Sequence, residues 1–453
     1  MTLHKRVAAW MNPSAWALEP EPSTFAPTDG RGGSRWSNKD MDPVPPQKVK
    51  APIQALPAIA LGHVIIATVM VLNGTVGARL HVSFPVLNRS SFGFYCSYFS
   101  VISRMVLSMF WLGIQAYTGS QCVYQVPILK LLMPLMFVSP QKIRWFFLFK
   151  AVIVPPAWFA ILIWAFVKVP ASKGLFVQHS KLSGSAFSYA WLSGLNSALG
   201  IYSTLAVNIP DFTRYAKNER AQYVQLLVIP AAFTLVGFIG IAVTSAGVVL
   251  YGSVLWNPLT LIDHWENRPA AFFAAFTFAL ATLGTNISAN TLSAANDLTV
   301  LFPKYINIRR GQVISAIVGP WAFVPWEIVT GAQGFLAFMN GYTVFLGPFA
   351  GVMVADNWRA VVTMLVAVPP NMPGLISSVN PSVRVGGAVK VFDFAWLFGF
   401  FVSLTVYSFL SLVFPAEETF VEEAIIDGSE EVFDDDNASQ DTKRSQDKEI
   451  VVA

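Results

Sequence analysis

Long apolar runs, separated by short polar segments, follow one another over most of this chain of 453 residues. A run such as 226–250 is apolar on nearly every side, unlike a barrel strand, in which apolar and polar residues alternate. Each run has roughly the 20 residues that a helix needs to cross a bilayer. The pattern therefore predicts an all-α, polytopic membrane protein. The ten predicted spans lie near 53–73, 97–120, 145–168, 186–209, 225–250, 271–295, 311–330, 334–355, 360–378 and 391–414.

Three segments differ from these runs. The stretch 126–138 is apolar but short, and a lysine and a proline interrupt it, so it is a doubtful eleventh span. Residues 1–50 are polar and contain seven prolines, whereas 416–453 holds thirteen acidic residues. Such compositions are typical of disordered segments. We therefore expect a disordered N-terminal tail at 1–50, a transmembrane helical domain at 51–415 and an acidic disordered tail at 416–453.

The composition argues against a soluble enzyme. Only 12% of the residues are charged, against about 25% in an ordinary soluble domain. The motifs HExxH, GxSxG, CxxC and the Walker loop are absent, and the five histidines have no metal-ligand spacing. We expect no enzyme activity, cofactor, metal or nucleic-acid partner, and we expect the lipid bilayer as surroundings.

The loop charges predict an orientation, because cytoplasmic loops carry an excess of Lys and Arg. If 126–138 crosses the membrane, eleven basic residues share one side and six the other. The richer, cytoplasmic group is Arg79, Arg89, Lys142, Arg144, Arg214, Lys217, Arg220, Lys304, Arg309, Arg310 and Arg359. This grouping leaves the N-terminal tail outside, unless a preceding span is missing.

Prolines interrupt several predicted spans, at 155–156, Pro320, Pro325 and 369–370. Each one alone is explained by a packing kink. Several together favour a secondary transporter, because such proteins bind their solutes at broken helices near the bilayer midplane. Channels and membrane enzymes with kinked helices are the alternative.

Trp111 and Gln115 form the first candidate site. They are four residues apart and so share one face of a helix. An indole offers a flat face to a planar heterocycle, and a Gln amide offers both a donor and an acceptor to a lactam or ureide edge. The alternative is a tryptophan at the membrane interface and a glutamine bonded to a neighbouring helix.

A polar stripe marks the sixth span. Asn286, Asn290, Ser293 and Asp297 follow one another at spacings of four, three and four, so they lie on one side of an apolar helix. Amides and hydroxyls of this kind also join neighbouring helices. A carboxylate in a span is costly unless it is paired or protonated, so Asp297 is a candidate proton carrier or gate. Lys217 is its candidate partner.

Five sequence runs resemble a known family. They are WSNKDMDPVPPQ at 36–47, VLNGTVGARLHVSFPVLNRSSFG at 71–93, NIPDFTRYAK at 208–217, TNISAN and SAAND within 285–297, and GYTVFLGPFAGVMVAD at 341–356. The chain is similar to the nucleobase-cation-symport-1 family, and most of all to its fungal uracil and allantoin permeases. The resemblance implies two inverted five-helix repeats plus two helices, twelve in all. It also implies the import of uracil, allantoin or a related planar nitrogenous solute together with a proton.

The resemblance also implies roles for single residues. Trp111 and Gln115 match the family's ligand-sandwiching and hydrogen-bonding pair, and Asn290 matches a third ligand contact. Asp297 matches an acid associated with transport and gating, and Tyr342 is a further gating candidate.

A cation site is implied by the same resemblance. Ala281 and Thr285 match positions that line a sodium site in bacterial relatives. Gly284 stands where those relatives carry a serine, which argues against tight sodium binding and agrees with proton coupling.

Three places depart from the family. The family's first helix, which contributes half of the substrate and cation sites, has no counterpart between 47 and 53. The fourth helix is shortened within 125–139, and a cytoplasmic loop is absent at 358–359. We therefore expect 10 or 11 spans instead of 12.

The interpretation is a proton-coupled symporter of the plasma membrane that imports a nucleobase-like or ureide solute. Three alternatives remain open. One is a truncated member that does not transport and is retained in the endoplasmic reticulum. Another is an intact transporter whose first helix is missing from an incomplete gene model. The third is a receptor that senses the solute without moving it.

Overall fold

The computed structural model describes residues 52–124, 144–170, 172–176, 184–216, 218–255, 257–322, 324–331, 333–352, 358–383 and 385–414. In these residues the regular secondary structure is entirely helical, which confirms the predicted all-α class. The two tails, the doubtful span at 126–138 and Lys217 lie outside the described residues. All the described helices fall within the predicted transmembrane domain, 51–415.

The α-helices of these segments are α1 Leu56–Leu80, α2 Phe84–Tyr124, α3 Arg144–Lys168, α4 Gly184–Asn208, α5 Pro210–Thr213, α6 Gln225–Tyr251, α7 Pro258–Ile262, α8 Arg268–Thr285, α9 Leu292–Leu301, α10 Ile308–Ala322, α11 Pro325–Gly331, α12 Gln333–Gly341, α13 Thr343–Val352, α14 Trp358–Ala367, α15 Met372–Val379, α16 Val389–Phe392 and α17 Ala395–Val413. Short 3-10 helices lie at Pro52–Ala55, Glu219–Val224, Pro369–Asn371 and Gly386–Ala388. A π-helix, Asn286–Thr291, joins α8 to α9.

Seven helical stretches of the described chain are long and apolar enough to cross a membrane, which supports a multi-pass membrane protein. They are Ile53–Leu80, Ser97–Ser120, Trp145–Lys168, Glu219–Tyr251, Arg268–Leu301, Trp358–Val379 and Ala395–Val413. Each overlaps one of the ten predicted spans. Of the remaining three predictions, 186–209 falls on the long helix α4, whereas 311–330 and 334–355 each fall on two shorter helices.

The breaks in the helices differ from the predicted ones. The pair 155–156 lies inside α3, which continues past it, so the predicted break there is wrong. Each proline costs the helix a hydrogen bond, but unwinding in lipid would leave more backbone groups unsatisfied. Pro320 lies within α10, and Pro325 starts α11 directly after Val324, whose φ is 43°. The pair 369–370 starts a 3-10 helix.

Helix α2 lies at the centre of the packing that forms the site. It contacts α8, the π-helix, α9 and α10, while α1 packs against α4 and α6. Gly93 in α2 has φ 72° and ψ 169°, a backbone conformation open to glycine, and it separates the first turns of the helix from the rest. The long segment after Gly93 carries the candidate residues.

The chain divides into two units, Met1–Tyr407 and Ser408–Ala453. The first unit contains every residue of the candidate site. In the second, the described residues are 408–414, at the end of α17.

Candidate functional site

A buried ion triad joins three elements of the fold. The guanidinium of Arg104, on α2, donates from Nε to Asp297 Oδ2 at 2.7 Å and from Nη2 to Asp297 Oδ1. Its Nη1 donates to Asp211 Oδ2 at 3.2 Å. All three residues are at most 1% exposed. We call Arg104, Asp211 and Asp297 the charged layer.

Further contacts hold the charged layer in place. Asp211 lies in the short helix α5, and its Oδ1 accepts the backbone N–H of Phe84 at 2.9 Å, at the first residue of α2. The ring of Phe84 lies 3.9 Å from the Arg104 guanidinium carbon, a cation–π contact. One positive charge therefore serves two carboxylates, and the triad carries a formal charge of minus one.

Arg104 is a candidate functional residue that sequence reasoning missed. The expected partner of Asp297, Lys217, lies outside the described residues, and the structure pairs Asp297 with Arg104 instead. A signal for Arg104 was present, since an arginine within an apolar span is costly and needs a partner. Five acids, Asp211, Asp297, Glu327, Asp356 and Asp393, lay in or directly beside predicted spans, so the sequence did not indicate which of them would pair with it.

Asn286 connects the π-helix to α2, and Asn290 bonds to Asn286. Asn286 Nδ2 donates to the backbone carbonyl of Leu112 at 3.1 Å, and Asn290 Nδ2 donates to Asn286 Oδ1 at 2.8 Å. Both asparagines are buried, at 2% and 9% exposure. π-Helices are rare and occur often at functional sites, because the extra residue in the turn redirects side chains.

Trp111 and Gln115 lie on either side of this connection. Leu112, whose carbonyl accepts the Asn286 bond, immediately follows Trp111 and precedes Gln115 by three residues. Trp111 is half-buried and meets Phe110 edge to face at 5.4 Å. Gln115 Oε1 is buried and has no hydrogen-bond partner among the described residues. We call Trp111, Gln115, Asn286 and Asn290 the amide layer.

The distance between the two layers is the same along α2 and along the continuous segment of the π-helix and α9. Arg104 precedes Trp111 by seven residues, and Asp297 follows Asn290 by seven. Seven residues are two helical turns, about 10.5 Å. The stripe predicted from Asn286 to Asp297 is thus one continuous buried seam, with amides at one end and an ion pair at the other. Between them, the Ser293 hydroxyl is hydrogen bonded to the Asn208 amide of α4 at 2.6 Å.

Lys150 lies against Gly284, in the part of α8 that matches the sodium-site positions of bacterial relatives. A methyl group added at Gly284 would meet Lys150 Cδ at 2.6 Å and Nζ at 2.9 Å. Lys150 is half-buried, on α3, and has no ion pair among the described residues. Ala281 is half-buried and Thr285 is exposed. Gly284 therefore leaves room for a cationic side chain.

Tyr342 lies near the charged layer. It directly precedes α13, is half-buried, and is close enough to Arg104 and Asp297 to interact with them electrostatically. Its ring tilts against Phe345 at 5.5 Å. In the part of the chain that the structure describes, no group of three or more His, Cys, Asp or Glu side chains is placed to hold a metal ion.

The fold resembles two solved structures of one transporter. The inward-facing conformation of Mhp1 matches with a TM-score of 0.60 and 22% identity, over 82% of this chain and 86% of that chain. Mhp1, a nucleobase-cation-symport-1 family transporter, in a closed conformation with bromovinylhydantoin bound, matches with a TM-score of 0.57 and 18% identity, over 82% and 88%. These likenesses show the fold of a helical membrane transporter.

Curated relatives and a family model identify the family. An uncharacterized permease of Schizosaccharomyces pombe is 35% identical over 83% of this chain and 78% of its own length. The allantoin permease and the uracil permease of Saccharomyces cerevisiae are each 32% identical, over 79% of this chain and 68% of their own. These relatives are permeases and not enzymes, as predicted. The family model described as permease for cytosine/purines, uracil, thiamine and allantoin matches residues 51–133 and 128–356. The chain therefore belongs to this permease family.

Proposed function

We propose that this protein is a proton-coupled permease that imports a small planar nitrogenous solute of the uracil or allantoin kind across the plasma membrane. One observation supports the proposal: Asn286 bonds to the Leu112 carbonyl and to Asn290, so the asparagines of the π-helix are joined to α2 at a residue between Trp111 and Gln115. We expect the indole and the amides of Gln115 and Asn290 to meet around a solute at this place. The names of the yeast relatives, uracil permease and allantoin permease, support this solute class.

The amide layer suits such a solute chemically. The indole of Trp111 would stack on a planar ring, while Gln115 and Asn290 would bond to its lactam or ureide edge. Gln115 Oε1 is buried without a partner, which costs free energy that a solute N–H would recover. An unpaired buried acceptor is therefore expected where a ligand completes the hydrogen bonding.

Lys150 supports the proton rather than sodium as the coupling ion. Its ammonium lies against Gly284, in the segment that also contains Ala281 and Thr285. A positive charge held there repels a second cation, and more strongly where water is scarce. Glycine at 284 also lacks the hydroxyl that a sodium ion would bind.

The charged layer is the proposed gate. Arg104 lies two turns from Trp111 on α2, and Asp297 lies two turns from Asn290 on the continuous segment of the π-helix and α9. Separating these two segments at that end would break the ion pair. Tyr342 is a further proposed gating residue, because it lies close to both charges. Asp297 is the proposed proton carrier, since a proton would neutralise the extra negative charge of the triad.

Uptake by purified protein in vesicles tests this proposal. With labelled uracil or allantoin outside, we expect accumulation when the outside is made acidic, and no effect when sodium replaces potassium. Collapse of the pH gradient by a protonophore should abolish accumulation. Accumulation driven by a sodium gradient would contradict proton coupling, and solute binding without flux would indicate a receptor.

The proposed membrane is tested separately. A fluorescent fusion of the whole chain should outline the cell surface. Retention in the endoplasmic reticulum would contradict the proposed location and would favour a member that does not transport.

A further inference from the structure

The hydrogen bonds around Asn290 have a fixed direction. An asparagine amide donates through its NH2 and accepts through its oxygen, so its orientation decides which of the two it offers to a ligand. For an exposed asparagine both orientations are accessible. For Asn290 the neighbouring groups select one.

The Leu112 carbonyl of α2 sets the direction of these hydrogen bonds. The Leu112 carbonyl can only accept, so Asn286 must turn its NH2 towards it, at 3.1 Å. The Asn286 oxygen then faces Asn290, which must donate its own NH2, at 2.8 Å. Asn286 is 2% exposed, so the reversed arrangement would place two oxygens against each other where no water could separate them.

Because the Asn290 NH2 bonds to Asn286, only the Asn290 oxygen is available to a ligand. Among the described residues Asn290 Oδ1 receives no hydrogen bond. Gln115 differs, because its amide has no partner in those residues and can turn either edge towards a ligand. The amide layer thus combines one acceptor of fixed direction with one adaptable amide.

We infer that Asn286 is a specificity-determining positioning residue that makes Asn290 an obligatory acceptor. The solute must then carry an N–H group on the edge that faces Asn290, as lactams, imides and ureides do. Solutes whose ring nitrogens are all alkylated are rejected, because they leave the Asn290 oxygen unpaired in a buried site. This inference rests on the proposed function, whose solute class it narrows.

Binding to the purified full-length protein tests the inference. The probes are uracil and hydantoin, each compared with its 1,3-dimethyl derivative, together with allantoin. Their Kd values are measured by calorimetry. We expect each dimethyl derivative to bind about 10- to 100-fold more weakly than its parent, the loss that one unpaired buried acceptor causes.

Three variants separate hydrogen-bond direction from the bulk of the methyl groups. In Asn286→Leu the Asn290 amide is free to reverse, so the preference for the parent compound should fall to about threefold or less. A purely steric preference would not change, because Asn286 is 2% exposed and offers almost no surface to a solute. Asn286→Asp keeps an oxygen towards Asn290 and should keep the preference. Asn208→Ala removes another buried asparagine that joins two helices, through Ser293, and should also keep it.

The outcomes are distinguishable. Equal affinity of wild type for uracil and 1,3-dimethyluracil would overturn the inference while leaving the proposed function standing, and this result does not depend on any variant folding. An unchanged preference in folded Asn286→Leu would also overturn it. If wild type binds none of the probes, the proposed solute class fails and the inference fails with it.

Discussion

The charged layer and the amide layer both use α2 and the continuous segment formed by the π-helix and α9, yet they differ in how their polar groups are satisfied. In the charged layer, Arg104 contacts both carboxylates, and all three residues are at most 1% exposed. In the amide layer, an oxygen of Gln115 is buried without a partner and that of Asn290 receives no bond from the described residues. A satisfied buried network holds helices together, whereas an unsatisfied one favours a ligand. The comparison supports the proposed roles, closure for the first layer and recognition for the second.

We expect the largest effect from a substitution that breaks the charged layer. Arg104→Met leaves two buried carboxylates without a counter-charge, which should destabilise the folded protein by about 3–5 kcal/mol. The measurement is thermal unfolding of the detergent-solubilised protein. The triple variant Arg104→Met, Asp211→Asn, Asp297→Asn removes all three charges and should recover most of that loss. An unaltered melting temperature in Arg104→Met would show that the triad does not hold the helices together.

The second prediction breaks the amide layer. Asn290→Ala should lower solute affinity by about 1–3 kcal/mol and abolish measurable uptake of labelled substrate, because a hydrogen-bond partner of the solute is lost. Surface abundance should stay at the wild-type level. Ser288→Ala is the control, since the Ser288 hydroxyl bonds to the Gly284 carbonyl within the helix and not to the solute site. Unchanged uptake kinetics in Asn290→Ala would remove Asn290 from the site.

The third prediction separates the two carboxylates of the charged layer. Proton-coupled uptake should rise as the external pH falls. Asp297→Asn removes the proposed proton carrier, so the remaining uptake, lower by about tenfold, should depend less on pH. Asp211→Asn keeps an oxygen for the Phe84 N–H and should retain the wild-type pH profile at a lower rate. Identical pH profiles in wild type and Asp297→Asn would refute its role in coupling.

The smallest effect is expected beside the amide layer. Gly284→Ala adds a methyl group 2.6 Å from Lys150 Cδ, which the flexible lysine side chain can avoid by moving. We expect a stability loss of about 1 kcal/mol or less and a change in uptake of about two- to threefold. Gly240→Ala is the matched control, because the added methyl group meets nothing within 4 Å. If both variants behave alike, the position of Lys150 does not affect transport.

Much of the fold follows from local pattern. Apolar runs such as 226–250 predicted membrane helices because the backbone in lipid must satisfy its own hydrogen bonds. The pair 155–156 shows the limit of this reasoning, since it predicted a break where α3 is continuous. The site was predicted in part as well. The stripe from Asn286 to Asp297 was visible because helical spacing places its members on one side, and all of it is buried.

The sequence alone determined that this chain is a helical membrane protein with a polar seam, because hydrophobic periodicity and the cost of buried charge are properties of single segments. The tertiary structure decided which polar groups pair across segments. Arg104 and Asp297 are 193 residues apart, and Asn286 and the Leu112 carbonyl are 174 apart. Contacts at such separations depend on how helices pack and on the extra residue of a π-turn. The direction of the Asn290 amide, and with it the proposed choice of solute, follows from that packing.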